Sequence, residues 1–151
     1  MTKDELISLA RDRLDLMQHE RFEDVIPIQL QILDAISQTD RIHDLASAWN
    51  YLSMLYYRVG RYVDAEHASL ESIAVYQSEP NPSDEAIACY EMLLSTILAA
   101  QNKFAEAVSY GSLAVKHYST FHNPPDKFLL RIQKDVNMMI ECRDRESPNT
   151  E

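Results

Sequence analysis

The chain has 151 residues, the size of one ordinary domain and enough for a continuous core. Two glycines among so many Leu, Ala, Ile and Glu residues leave little turn material for a β-protein, which points to an all-α fold. Its 24 acidic residues against 14 basic ones give a formal charge of -10. The basic footprint of a nucleic-acid binder is therefore missing, and a negative lipid surface would repel the chain.

Seven helices are predicted. The first, Lys3–Gln18, is announced by Thr2-x-x-Glu5, a pattern in which each residue's side chain bonds the other's backbone N–H. The second, Glu23–Gln38, contains Pro27, which kinks a helix interior and is tolerated in a first turn. The third, Asp40–Val59, puts Leu45, Trp49, Leu52 and Tyr56 on one face, three or four residues apart. Gly60 ends it, being able to take positive φ. The fourth, Tyr62–Gln77, carries Ala65, Ala68 and Ser72 at the same spacing, so that two antiparallel backbones can approach closely. A bulky residue at Ala65 would cost about 1–3 kcal/mol by overpacking.

Pro80 and Pro82 break the chain before Ser83, an N-cap candidate for the fifth helix, Asp84–Ala100. Asn102, a residue suited to a left-handed turn, precedes the sixth, Phe104–Tyr118. Asn123-Pro124-Pro125 leads into the seventh, Asp126–Arg143, where Phe128, Leu129, Ile132, Val136, Met139 and Ile140 form an apolar stripe. Ser147 to Glu151 reads as a disordered tail. The start, Met1-Thr2-Lys3-Asp4-Glu5, has no apolar signal-peptide core and no run has membrane-spanning length, so a cytoplasmic location is expected. Cys89 and Cys142 do not make a disulfide framework and read as small buried apolar groups rather than reactive ones.

Three blocks repeat: Arg21-Phe22-Glu23-Asp24-Val25, Arg61-Tyr62-Val63-Asp64-Ala65 and Lys103-Phe104-Ala105-Glu106-Ala107. Their aromatics lie 40 and then 42 residues apart, and Leu52/Leu94, Ser53/Ser95 and Tyr76/Tyr118 share the spacing of 42. A period sustained this way means stacked units. Glu20 and Asn102 stand where Gly60 stands in the middle repeat. Trp49, Leu52, Ser53 and Tyr56, with Gly60, Tyr62 and Ala65 following, resemble the tetratricopeptide signature W-x2-L-G-x2-Y, with serine in place of glycine. The long period resembles the extended repeats of kinesin light chains.

The resemblance implies a short right-handed α-solenoid within one domain, about residues 1–146. Its three helix hairpins would span about 3–38, 40–78 and 84–120, and a capping helix about 126–143 would close it. It also implies a concave binding face lined by the first helix of each repeat. Carried onto this sequence, the lining positions are Ser47, Asn50, Met54, Tyr57 and Arg58 in the second repeat and Cys89, Met92, Thr96, Ala99 and Ala100 in the third. Leu14, Met17 and Gln18 are their less clear counterparts in the first. In one subgroup a lysine and asparagines clamp a C-terminal carboxylate, but here the first repeat holds Ala10 and Leu14 at those places.

No catalytic constellation is visible. His19, His43, His67, His117 and His122 are scattered, without metal-ligand or thiol-redox spacing, and each glycine stands alone, so neither metal nor cofactor is expected. The expectation is a non-enzymatic scaffold or adaptor for a protein or peptide, its methionines adapting to the ligand and Asn50 gripping backbone. Two alternatives stand beside it. One is a chaperone of the secretion type that holds an aggregation-prone partner. The other is a homodimer or larger assembly built through the last helix at Phe128 and Met139.

Overall fold

The computed structural model describes residues 1–120 and 126–146. The Asn123-Pro124-Pro125 connection, His122 and the tail from Ser147 lie outside the described residues. These form seven helices and no strand: α1 (Lys3–Gln18), α2 (Phe22–Ser37), α3 (Ile42–Arg58), α4 (Tyr62–Gln77), α5 (Asp84–Ala100), α6 (Phe104–Ser119) and α7 (Lys127–Glu146). The fold is all-α and built of helix hairpins, as the periodicity predicts. The chain divides into two compact units, Met1–Glu79 and Pro80–Glu151, so α1 to α4 belong to the first and α5 to α7 to the second.

The turns repeat with the sequence blocks. Glu20, Gly60 and Asn102 all take left-handed backbone, with φ of 54°, 78° and 60°. At each, two N–H groups return to the helix just ended: Gly60 to Tyr57 O at 3.1 Å and Arg61 to Tyr56 O at 2.9 Å, with the same pair at Glu20/Arg21 and Asn102/Lys103. This double bond satisfies carbonyls left over at the helix end. The base and the acid of the block then pair across the start of the next helix. Arg21 Nε donates to Asp24 and Arg61 Nε to Asp64, both at 2.7 Å, and Arg41 pairs with Asp44 in the same way at the start of α3. The acid thus answers the helix dipole and the arginine together.

In the first unit the core comes from Val25, Ile26 and Leu33 of α2, Ala48, Leu52 and Leu55 of α3, and Ala68 of α4. Leu16 and Met17 pack against its edge, and α1 itself buries no residue fully. The capping box at its start is present, with Glu5 N donating to Thr2 Oγ1 at 3.2 Å and Thr2 N to Glu5 Oε2 at 2.6 Å. Pro27 lies inside α2 rather than in its first turn, on the exposed side.

In the second unit Leu94, Ile97 and Leu98 of α5, Ala107 and Ala114 of α6, and Leu129, Ile132 and Val136 of α7 are buried. Gly111 lets these helices meet: a Cβ there would lie 2.6 Å from Val136 Cγ2 and 2.9 Å from Ser95 Oγ. Asp126 joins α6 to α7. Its Oδ1 accepts the Leu129 N–H at 2.8 Å, capping α7, and its Oδ2 accepts the Tyr118 hydroxyl at 2.9 Å. Burial, and then that bond, push the Tyr118 phenol up to about 12, so it stays a donor.

Candidate functional site

The register of the repeats locates the site. Arg13, Ser53 and Ser95 are spaced by 40 and 42 residues, and so are Gln29, Ser69 and Gly111. Across the first hairpin Arg13 meets Gln29, and across the third Ser95 meets Gly111. Ser53 Oγ donates to Ala65 O at 2.8 Å and Ser95 Oγ to Ala107 O at 2.6 Å, so each serine that replaces the usual glycine ties its hairpin shut. In the first hairpin the same place holds two long side chains. Arg13 Nη1 donates to Gln29 Oε1 at 3.0 Å, joining α1 to α2 by side chains rather than by a serine on a facing carbonyl.

Between α1, α2 and α3 lies a groove of about 410 Å³. Leu6, Ala10 and Arg13 form one wall and Ser47 and Tyr51 the other, with Gln29, Ile32 and Ile36 as the floor. Gln29 is 0% exposed and uses both ends of its amide, since Nε2 donates to Ala48 O at 2.9 Å. The Arg13 guanidinium also lies over the Tyr51 ring, 4.6 Å from its centre. Arg41 and Asp44, paired with each other, complete the lining.

The expected lining positions separate in space. Ser47 lies in the groove. Asn50 is half-buried, and its Oδ1 is enclosed with no hydrogen-bond partner among the described residues. Met54 packs against the core of the first unit. Tyr57 meets the Tyr62 ring at 5.8 Å, and Arg58 lies over Phe22 at 5.7 Å, so both brace turns. Leu14 is 60% exposed, Met17 joins the core edge, and Gln18 is exposed. Arg13 and Tyr51 are the groove residues that the family's position rule misses. The signal for Arg13 is its register with Ser53 and Ser95, where an arginine is out of place.

In the second unit Thr96 lines a separate groove of about 360 Å³ with Ala99, Phe104, Met138, Met139 and Cys142. Its Oγ1 donates to Met92 O at 2.9 Å, and Met92 is buried. Met139 is 9% exposed and accepts from Ser95 Oγ at 3.2 Å, which makes it a core residue of this unit. Phe128 is 38% exposed, its ring 4.8 Å from that of Tyr118. Cys89 and Ala100 are exposed. Cys89 is thus not the buried group expected, although partial enclosure of its thiol, and then Glu85, push it up from its ordinary value.

One ionisable pair had no sequence signal. Glu91, buried in α5, lies 2.8 Å from His117 Nδ1 on α6. Burial pushes its carboxyl up, and the bond to His117 opposes that. Among the described residues no group of three His, Cys, Asp or Glu side chains is placed to hold a metal, and no helix is long and apolar enough to cross a membrane.

No curated protein matches this sequence. The family model described as Tetratricopeptide repeat does, over residues 44–119, from the first turn of α3 to the end of α6. That is half of the chain, and it takes in Trp49, Leu52, Ser53, Tyr56 and both tight hairpins; the chain belongs to the tetratricopeptide repeat family, whose repeats generally mediate protein–protein interaction.

Proposed function

We propose that this protein is a non-enzymatic adaptor of the cytoplasm that captures an extended peptide segment of a partner protein along α1 and α3. The observation that carries the reading is the groove between them. Its size suits a few side chains, Ile32 and Ile36 give its floor apolar surface beside the buried Gln29 amide, and Arg13, Gln29, Arg41 and Asp44 are held in place by one another or by backbone, as peptide recognition needs. Affinity capture of the tagged protein from its native cytosol, beside a Ser47→Arg variant that fills the groove, tests this. Partners present with wild type and lost with the variant, at unchanged helicity and melting temperature, support the groove. The same partners in both lanes remove it.

Self-association through α7 is the second reading, favoured by the exposure of Phe128, Leu130 and Met138 on one helix. It predicts a dimer mass by light scattering that falls to the monomer on Leu130→Glu with Met138→Glu. A mass unmoved by those changes excludes α7 as the interface.

A further inference from the structure

Resting on the peptide-binding reading above, we propose that Arg13 anchors an acidic side chain, Asp or Glu, of the bound peptide. Three charged groups line the groove: Arg13, Arg41 and Asp44. Arg41 and Asp44 answer each other, so the groove keeps one unmatched positive charge in a chain whose formal charge is -10. Arg13 has no carboxylate partner among the described residues. Its contacts are the amide oxygen of Gln29 and the face of Tyr51.

Those two contacts leave the guanidinium prepared for a ligand. Gln29, itself tied to Ala48 O, fixes one edge of the fork, and Tyr51 fixes its plane. One N–H of Nη1 is used, and the remaining N–H groups match the two oxygens of a carboxylate. An anchor held this way loses little freedom on binding. Leu6, Ala10, Ile32 and Ile36 around it favour an apolar residue beside the acid. One unmatched charge fits one carboxylate, whereas a phosphoryl group would bring a second negative charge close to Asp44. Arg13 also stands apart from the family's carboxylate-clamp places, held here by Ala10 and Leu14.

The probe is a library of random peptides displayed internally, with no free carboxyl terminus, selected on the full chain and on Arg13→Gln. Glutamine keeps an N–H for Gln29 while removing the charge. Arg13→Lys, which keeps the charge and loses the fork, is carried alongside in case the first variant loses helicity. Wild type is expected to select Asp or Glu at a fixed distance from an apolar residue, and Arg13→Gln to select peptides without that acid. In the best peptide, made with both ends blocked, Glu→Gln should weaken binding to wild type about 10–100-fold and leave binding to Arg13→Gln nearly unchanged. Arg13→Lys should fall between. The same acid preference in wild type and variant, or selected peptides without an acid, overturns the role of Arg13 while leaving peptide capture standing. Binding only by versions that end in a free carboxyl terminus at that position overturns the side-chain assignment. No selected peptide at all overturns the peptide-binding reading itself.

Discussion

The α1–α2 hairpin and the α5–α6 hairpin share one turn and differ at one pair of positions. Both turns pass through a left-handed residue that is not glycine, Glu20 or Asn102, and both return the same two backbone hydrogen bonds. Where the helices come closest, α5 and α6 meet at Ser95 and Gly111, with no room for a methyl group. Across α1 and α2 the corresponding place holds Arg13 and Gln29. The small pair makes a core and the large pair makes a cavity. In this fold, then, the turn sets the direction of the second helix and the contact pair sets whether the hairpin is closed or open to a ligand.

Opening the closed hairpin should have the largest effect. Gly111→Leu drives a side chain into Val136 and Ser95 and should destabilise the second unit by about 3 kcal/mol, read as a fall in the urea midpoint. A stability within 1 kcal/mol of wild type, by the same principle, would mean that α7 yields easily. On the open side Gln29→Leu strips Arg13 and the Ala48 carbonyl of their buried partner. It should cost about 2 kcal/mol, with hydrogen exchange rising first in α1. Unchanged exchange there would show that the pair does not hold α1.

The two serines compare the closed hairpins with each other. Ser53→Ala and Ser95→Ala each remove one buried bond to a facing carbonyl and should each cost about 1 kcal/mol. A clear difference between them in thermal denaturation would mean that Met139, the second acceptor at Ser95, shares the load. At the shared turn Glu20→Gly should add about 1 kcal/mol of stability, because glycine takes positive φ without strain, and Gly60→Ala should remove about as much.

The smallest effect concerns pH. Glu91 binds its proton more tightly in the folded chain than in the unfolded one, because burial penalises the carboxylate. In the window above the ordinary carboxylate value the folded state therefore holds more protons, and stability from this group falls as pH rises through its raised value. The difference between wild type and Glu91→Gln, followed across mildly acidic pH, should show that slope. A flat difference would mean that His117 fully offsets the burial.

The helices were legible because each carries its own period, and the turns because the base–aromatic–acid block recurs with the residue that takes positive φ just before it. Glu20 was legible only by register, since nothing about a glutamate announces a left-handed turn. The groove was legible in part. Ser47 follows from the family's rule for the concave face. Arg13 and Tyr51 do not, because their role depends on side chains brought together from different helices, Arg13 with Gln29 sixteen residues on and with the Tyr51 ring. Met54 and Met139 show the reverse: a methionine on a helix face reads equally as a ligand contact or as core, and both pack with their own unit.

The spacing of 42 carries on past the last hairpin. Leu94 and Leu98 of α5 have counterparts in Val136 and Ile140 of α7, so α7 is built as the first helix of another repeat. Val136 and Ile140, with Gln133 and Asn137, line a groove of about 400 Å³ against Ser112 and Val115 of α6. The face carries the repeat's own apolar spacing without a second helix of that repeat among the described residues. A second helix packed there would rest on Val136 and Ile140 as α6 rests on α5, and would use a side chain of the present core as its floor.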